Sequence, residues 1–290
     1  MKKIILGITC FVFSSLLFAN PETIAEKQFI NQMVQKNHFS RAALNHLFYE
    51  LHPNYKIIQS MTQPFEKRPW TFYRNYFITQ KRIALGAQYL KTHHHELMAM
   101  QRKYGIPATI ITAIIGVETE YGEHLGKYSV LQTLYTLGFY YPPREKFFRS
   151  EFAQYLILTR NNQLPMWQLK GSYAGALGIP QFMPSSYRYY GVSAHHDGNV
   201  NLFNNDDAIA SVANYFHKMG WQANQPIAYH LRSRYSPISE GAKRLVLPRN
   251  HGNSYWETFH NFKVILSYNH NNVYAMAVYQ LSRAIQKYHT

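Results

Sequence analysis

A single cysteine, Cys10, leaves this 290-residue chain no means of forming an internal disulfide. Acidic residues are scarce: 15 Asp and Glu stand against 30 Lys and Arg, a formal net charge of +15. Such a balance favours a polyanionic partner: nucleic acid, anionic lipid or an acidic wall polymer. Long apolar runs are missing too. The most extended, Ile4 to Phe18, falls short of the ~20 residues a spanning helix needs, and Asn20-Pro21 ends it. Internal repeats and low-complexity segments are absent.

That short run has another reading. Lys2 and Lys3 form a charged start, Ile4 to Phe18 an apolar stretch, and Leu17-Phe18-Ala19 a cleavage site. Together they predict a signal peptide over residues 1–19 and export to the periplasm. Cys10 then lies in the discarded peptide. Its context, Gly-Ile-Thr-Cys, lacks the leucine and small residue expected before a lipid-modified cysteine, so no lipid anchor is expected. Export argues against nucleic acid as the polyanion. Aromatics are abundant, with 24 Tyr and 18 Phe, and aromatic faces can stack on sugars as well as fill a core.

Helical spacing dominates what remains. Residues 22–60 predict two or three short helices, one capped by Ser40 and carrying Leu44, Leu47 and Phe48. Residues 66–78 read as an extended or irregular aromatic and basic arm. Thr79 then caps one long helix ending at Gly105, with His93-His94-His95 inside it. Consecutive histidines on a helix point in different directions, which suits a partly solvated face better than a metal site. Helices are also predicted near 129–137, 144–161, 207–219 and 273–287, and short strands at 227–231, 244–247 and 262–266. Residues 171–187, GSYAGALGIPQFMPSSY, form a shaped loop with three glycines and two prolines.

The chain is organised around residues 105–122, GIPATIITAIIGVETEYG. Pro107 suits the first turn of a helix. Ile110, Ile111, Ile114, Ile115 and Val117 make that helix apolar on too many sides for a surface position. Glu118 ends it, a carboxylate on an apolar wall. Burial disfavours the charged form and raises the pKa, which suits a general acid in glycosidic bond cleavage. An ion-paired carboxylate at a helix terminus remains the alternative. Glu120 stands roughly 200° further round, so the two do not face one another. It reads as a solvated partner at the helix end, pairing with a Lys.

GVETEYG at 116–122, GSYAGALGIPQFMPSSY at 171–187, DGNVNLF at 197–203, DDAIASVANYF at 206–216 and YNHNNVYAMAVYQL at 268–281 occur in this order. Together they resemble the membrane-bound lytic transglycosylase B family, enzymes that cleave bacterial peptidoglycan, over roughly residues 25–287. The resemblance implies a mainly α (α+β) protein with a lysozyme-like helical core at 105–221. It also implies an additional helical domain at 20–104, completed by 267–290, and a small antiparallel β insertion at 222–266, shorter than is usual in the family. Glu118 matches the family's catalytic acid. Ser172 and Gln181 match polar residues lining the cleft. Tyr73, Tyr215, Tyr268 and Tyr274 match aromatics around glycan subsites, Asn269 a polar contact beside them, and Arg144 a basic residue placed towards the stem peptide. For Tyr215 a packed core aromatic, and for Ser172 a turn former, remain alternatives.

The implied chemistry needs one carboxyl. Glu118 protonates the leaving oxygen, then as carboxylate takes the proton of the same sugar's C6 hydroxyl, which attacks C1. A 1,6-anhydro end results without water. A hydrolytic muramidase, which would need a second carboxylate, and a non-catalytic wall-binding protein are the competing readings. The resemblance also implies a calcium loop, here at Ser193 to Asp207. Asp197, Asn199 and Asp207 fit oxygen-ligand positions, but Ser193 and His195 replace stronger oxygen ligands, so any calcium is expected to bind weakly and no cofactor to be required. Glycan strands are the expected partner, with other cell-wall enzymes a further one, and the chain is expected to be a monomer.

Overall fold

The computed structural model describes residues 23–62, 69–195 and 198–289. The expected signal peptide and Asp197 lie outside them. Thirteen α-helices and two small antiparallel sheets form among the described residues, matching the mainly α reading. None of these helices is long and apolar enough to cross a membrane.

Contacts divide the chain into two compact units, Met1–Leu51 and His52–Thr290. The first contains α1 (Ile24–Asn37) and α2 (Arg41–Glu50). Thr23 and Glu26 close a reciprocal capping box on α1, and the Ser40 hydroxyl accepts from Ala43 N–H to cap α2. Phe29 of α1 meets Phe48 of α2 with ring centres 5.8 Å apart.

In the second unit α7 (Ala108–Thr119) is the central rod. Ile110, Ile111, Ile114 and Ile115 are all essentially inaccessible. Fully burying each contributes roughly 1.5–3 kcal/mol before entropy is counted. The long C-terminal helix α13 (Asn272–His289) packs along α7 and also on α4 (Trp70–Phe77) and α5 (Gln80–Thr92). On another flank α11 (Asn205–Lys218) packs on α6 (His94–Tyr104) and α7. A second group pairs α8 (Val130–Tyr140) with α9 (Glu145–Asn161), and α9 with α10 (Pro184–Tyr190). Strands β1 (Tyr128–Ser129) and β2 (Lys170–Gly171) tie the ends of the intervening loops together. The larger sheet has the order β3-β5-β4, with β5 (Asn253–Thr258) paired antiparallel to both β3 (Ala228–Leu231) and β4 (Lys243–Pro248). The remaining helices are α3 (Tyr55–Thr62) and α12 (His260–Asn269).

Three expectations need correction. Residues 70–77 are helical, not an extended arm: Pro69 starts the helix, and Trp70, Tyr73 and Phe77 bury one face at helical spacing. The predicted single helix from Thr79 to Gly105 breaks at His93, whose backbone (φ −106°, ψ 32°) ends α5 and starts α6. The strand predicted at 262–266 is part of α12, and the third strand is 253–258. Asn261 decides this locally. Its buried side chain accepts from Gln222 N–H and donates to the carbonyls of Gln222 and Gln225, pinning the first turn of α12.

Candidate active site

Glu118 occupies the last turn of α7 and is half-buried. The Tyr274 hydroxyl of α13 donates to Glu118 Oε1 at 2.6 Å. Tyr274 is itself buried. Burial, then the charge of Glu118, pushes its phenol well above the usual range, so it stays a proton-bearing donor. Tyr73 of α4 lies close enough to add to that effect, and its ring sits 4.9 Å from that of Phe77. Buried Thr119 donates to Ile179 O at 2.9 Å and accepts from Gly122 N–H at 3.0 Å. Thr119 thereby ties the Glu118 turn to the 171–187 loop.

The turn after Glu118 is unusual. Glu120 (φ 50°), Tyr121 (φ 66°) and Gly122 (φ 93°) are all left-handed. Two non-glycine residues in this region are costly unless their surroundings hold them there. Tyr121 is held by packing. Its hydroxyl donates to Arg82 O at 2.8 Å, and its side chain lies so close to α5 and α7 that a Cβ on Gly86 would come within 2.6 Å of the hydroxyl and one on Gly116 within 2.6 Å of the ring. Small residues at 86 and 116 are therefore required, and Gly116 opens the GVETEYG motif for this reason.

Glu120 is held by charge. Its carboxylate meets Lys81 Nζ at 2.8 Å, Arg82 Nη2 at 3.4 Å and His124 Nε2 at 3.5 Å. With 13% side-chain exposure it is not the solvated group the sequence suggested, although the pairing with a lysine was expected. Its pKa lies below the ordinary carboxylate value, chiefly through the Lys81 hydrogen bond. Arg82 is buried and also donates to Tyr76 O at 2.7 Å. Glu120→Gln would leave that buried guanidinium without its counter-charge. The expected loss is about 1–3 kcal/mol of stability near neutral pH. A lowered folded pKa means this stabilisation is present above the unfolded value near ~4.3 and fades as pH falls through the folded one. Melting curves of wild type and variant should therefore differ most above about pH 5 and converge in acid.

An aromatic wall leads away from Glu118. Tyr274 stacks on Tyr268 (6.3 Å, 11°), Tyr268 meets Tyr215 edge-on (5.0 Å), and Tyr215 meets Tyr190 (4.7 Å). The Tyr268 hydroxyl donates to Pro180 O at 2.6 Å and that of Tyr215 to Ser267 O at 2.7 Å. The two tyrosines thus have their hydroxyls committed to the scaffold. They line a cavity of about 660 Å³ together with Arg144, Gln181, Tyr190 and Asn269. Arg144 lies over Phe147, with its guanidinium 4.3 Å from the ring centre.

Gln181 has a left-handed backbone (φ 48°), and its side-chain amide donates to Gly178 O and Leu125 O. Ser172 Oγ accepts from Ala174 and Ala176 N–H, shaping the turn whose Ala174 also lines the cavity. Sequence reasoning did not single out Glu151, the acidic residue that lines this cavity among the described residues. Both its oxygens accept from Ser185, one from N–H at 2.9 Å and one from Oγ–H at 2.6 Å. Glu151 thus caps the start of α10. Tyr190 was also missed; its only signal was the aromatic run that follows the 171–187 loop.

The loop before α11 is built around Asp207. Its Oδ1 accepts from Ala194 N–H (2.8 Å) and its Oδ2 from Asn201 N–H (2.7 Å). Leu202 is buried, and its carbonyl accepts from Ile179 N–H. His195 turns to Asp206, with Nε2 3.3 Å from Oδ2. These residues do not fit a calcium site well: Asp207 already serves two backbone donors, and His195 offers nitrogen to a hard cation.

Comparisons with known proteins identify the family of this chain. The transglycosylase SLT domain model matches residues 23–239 and 231–283. Membrane-bound lytic murein transglycosylase B of Escherichia coli (strain K12) is 35% identical over 296 residues, covering 89% of this chain and 82% of that protein. The crystal structure of soluble lytic transglycosylase SltB1 from Pseudomonas aeruginosa superposes with a TM-score of 0.83 at 36% identity, covering 91% of this chain and 98% of that one. The Escherichia coli lytic transglycosylase SLT35 in complex with calcium gives 0.85 at 34%, covering 92% and 94%. SltB3 from Pseudomonas aeruginosa in complex with NAG-NAM-pentapeptide gives 0.80 at 26%, covering 90% and 79%. With family model, sequence and lysozyme-like fold in agreement, this chain belongs to the membrane-bound lytic murein transglycosylase B family.

Proposed function

We propose that this enzyme cleaves the MurNAc-β-1,4-GlcNAc bond of peptidoglycan without water and leaves 1,6-anhydro-MurNAc ends. The observation that carries the proposal is the Tyr274–Glu118 hydrogen bond, with the Tyr274 ring stacked on Tyr268, which lines the cavity. With Oε1 accepting from Tyr274, the proton to be delivered resides on Oε2 of Glu118. Glu118 gives it to the glycosidic oxygen as the bond to C1 of MurNAc breaks. The N-acetyl group of that sugar stabilises the cationic centre. Glu118, now a carboxylate, removes the C6 hydroxyl proton as that oxygen closes on C1. The acid is thereby restored.

Glu151 bears on the hydrolytic alternative. A muramidase using two carboxyls needs the second free to activate water or to attack C1. Glu151 is engaged at both oxygens by Ser185, which supports the single-acid route. Tyr215 and Tyr268 serve as stacking faces for the sugars, with Gln181, Ser172 and Asn269 as polar contacts. Arg144, on the same cavity, is assigned to a stem-peptide carboxylate. Tyr73, whose charge acts on the Tyr274 phenol, is assigned with it to the aromatic surroundings of the glycan. The bound peptide in the SltB3 structure and the excess of Lys and Arg suit an anionic wall polymer. The reading places the protein in the periplasm as a monomer and needs no cofactor, calcium binding at most weakly. Purified sacculi digested with the enzyme should release muropeptides one water lighter than those from a hydrolase, and mass spectrometry reads this directly.

A further inference from the structure

The break at His93 places its ring somewhere the uninterrupted helix would not. His93, Glu96 at the start of α6 and Asp206 in the first turn of α11 each offer one ligand atom, all within 4.8 Å of one another. All three side chains are half-buried. The His93 ring leans on Tyr89 with centres 4.4 Å apart, and Tyr89 donates to Asn205 Oδ1, next to Asp206. A fourth donor stands at the edge: His195 Nε2 lies 3.3 Å from Asp206 Oδ2. In a protein with twice as many basic as acidic side chains, the ion partners found for Glu96 and Asp206 among the described residues are all histidines.

We propose that His93, Glu96 and Asp206, with His195 as fourth ligand, form a binding site for a divalent transition metal ion of the zinc class. Two imidazoles and two carboxylates suit a borderline cation and are a poor set for calcium. A tetrahedral ion with bonds of ~2.0–2.1 Å holds its ligands about 3.3 Å apart. The His195–Asp206 separation already matches, and the His93, Glu96 and Asp206 ligand atoms, within 4.8 Å of one another, would draw together on binding. The ligands come from the α5–α6 break, from α11 and from the loop before α11. A bound ion would therefore pin that loop, in the region where the resemblance implies calcium but the residues do not suit it. This site lies apart from the Glu118 chemistry and stands or falls independently of it.

The test uses the untagged full chain, stripped with a chelator and titrated calorimetrically with zinc, then with cobalt(II) as a spectroscopic probe. One zinc per chain is expected, with a rise in melting temperature that millimolar calcium does not reproduce. Cobalt should give visible absorption bands of four-coordinate strength. His93→Ala and Asp206→Asn should each weaken zinc at least about tenfold and abolish the bands, His195→Ala should weaken zinc as well, and His94→Ala should change nothing. Circular dichroism of each metal-free variant shows whether it is folded, and either the His93 or the Asp206 variant suffices. Absence of stoichiometric zinc binding, or binding that is lost with His94 and kept without His93, overturns the proposal.

Discussion

Glu118→Gln leaves the protein folded and lowers murein clearance by about 10²–10⁴-fold or more, because one group serves both proton transfers. The glutamine keeps the volume of the side chain. Its amide oxygen can still accept from Tyr274 at the position Oε1 holds. Packing of α7 is unaffected, since the isoleucines that bury it lie in the preceding turns. What is lost is a proton that can leave and return near neutral pH. The rate of clearing of a sacculus suspension, compared with a melting curve and a glycan-binding isotherm, separates lost chemistry from lost structure. A variant clearing murein near the wild-type rate would remove Glu118 from the mechanism.

Tyr274→Phe is expected to have the next largest effect. It deletes a hydrogen bond to a carboxylate, a class worth about 1.5–3 kcal/mol, or roughly 10–150-fold in rate when the bond matters for the transition state. The ring remains, so its stack on Tyr268 persists and the aromatic wall stays in place. The loss should therefore fall on kcat, with KM little changed. That division marks Tyr274 as the residue that positions Glu118. A raised KM at unchanged kcat would instead mark it as a sugar contact only.

Much of the catalytic core was legible because its signals are local. The isoleucine spacing of α7 and the carboxylate at its end can be read from residues 107–118 directly. The turn that follows could not be read in this way. Nothing in the identities of Glu120 and Tyr121 announces a left-handed backbone, which is held by Arg82, Lys81 and Gly86 from a helix more than 30 residues earlier. For the same reason Glu120 seemed solvated: its buried partner Arg82 becomes a neighbour only once α5 lies against α7.

The other misses have different causes. Residues 66–78 are rich in aromatic and basic side chains in a way that suits an irregular arm, and only burial of Trp70, Tyr73 and Phe77 shows the helical period. The break at His93 carries no Gly or Pro to mark it. The short apolar run 262–266 fits a strand or a buried helix equally by pattern, and the contacts of Asn261 with the 222–225 turn decide for the helix. Within the cavity, Tyr215 and Tyr268 were reached through the resemblance. Glu151 was not, because its role as a cap for α10 depends on Ser185, 34 residues away.

Digestion of sacculi in heavy-oxygen water, followed by mass spectrometry of the muropeptides, tests the central claim most directly. If the C6 hydroxyl of MurNAc closes on C1 under Glu118, the released ends are anhydro sugars carrying no heavy oxygen. Reducing ends labelled at C1 would show that water is the nucleophile and would contradict the account.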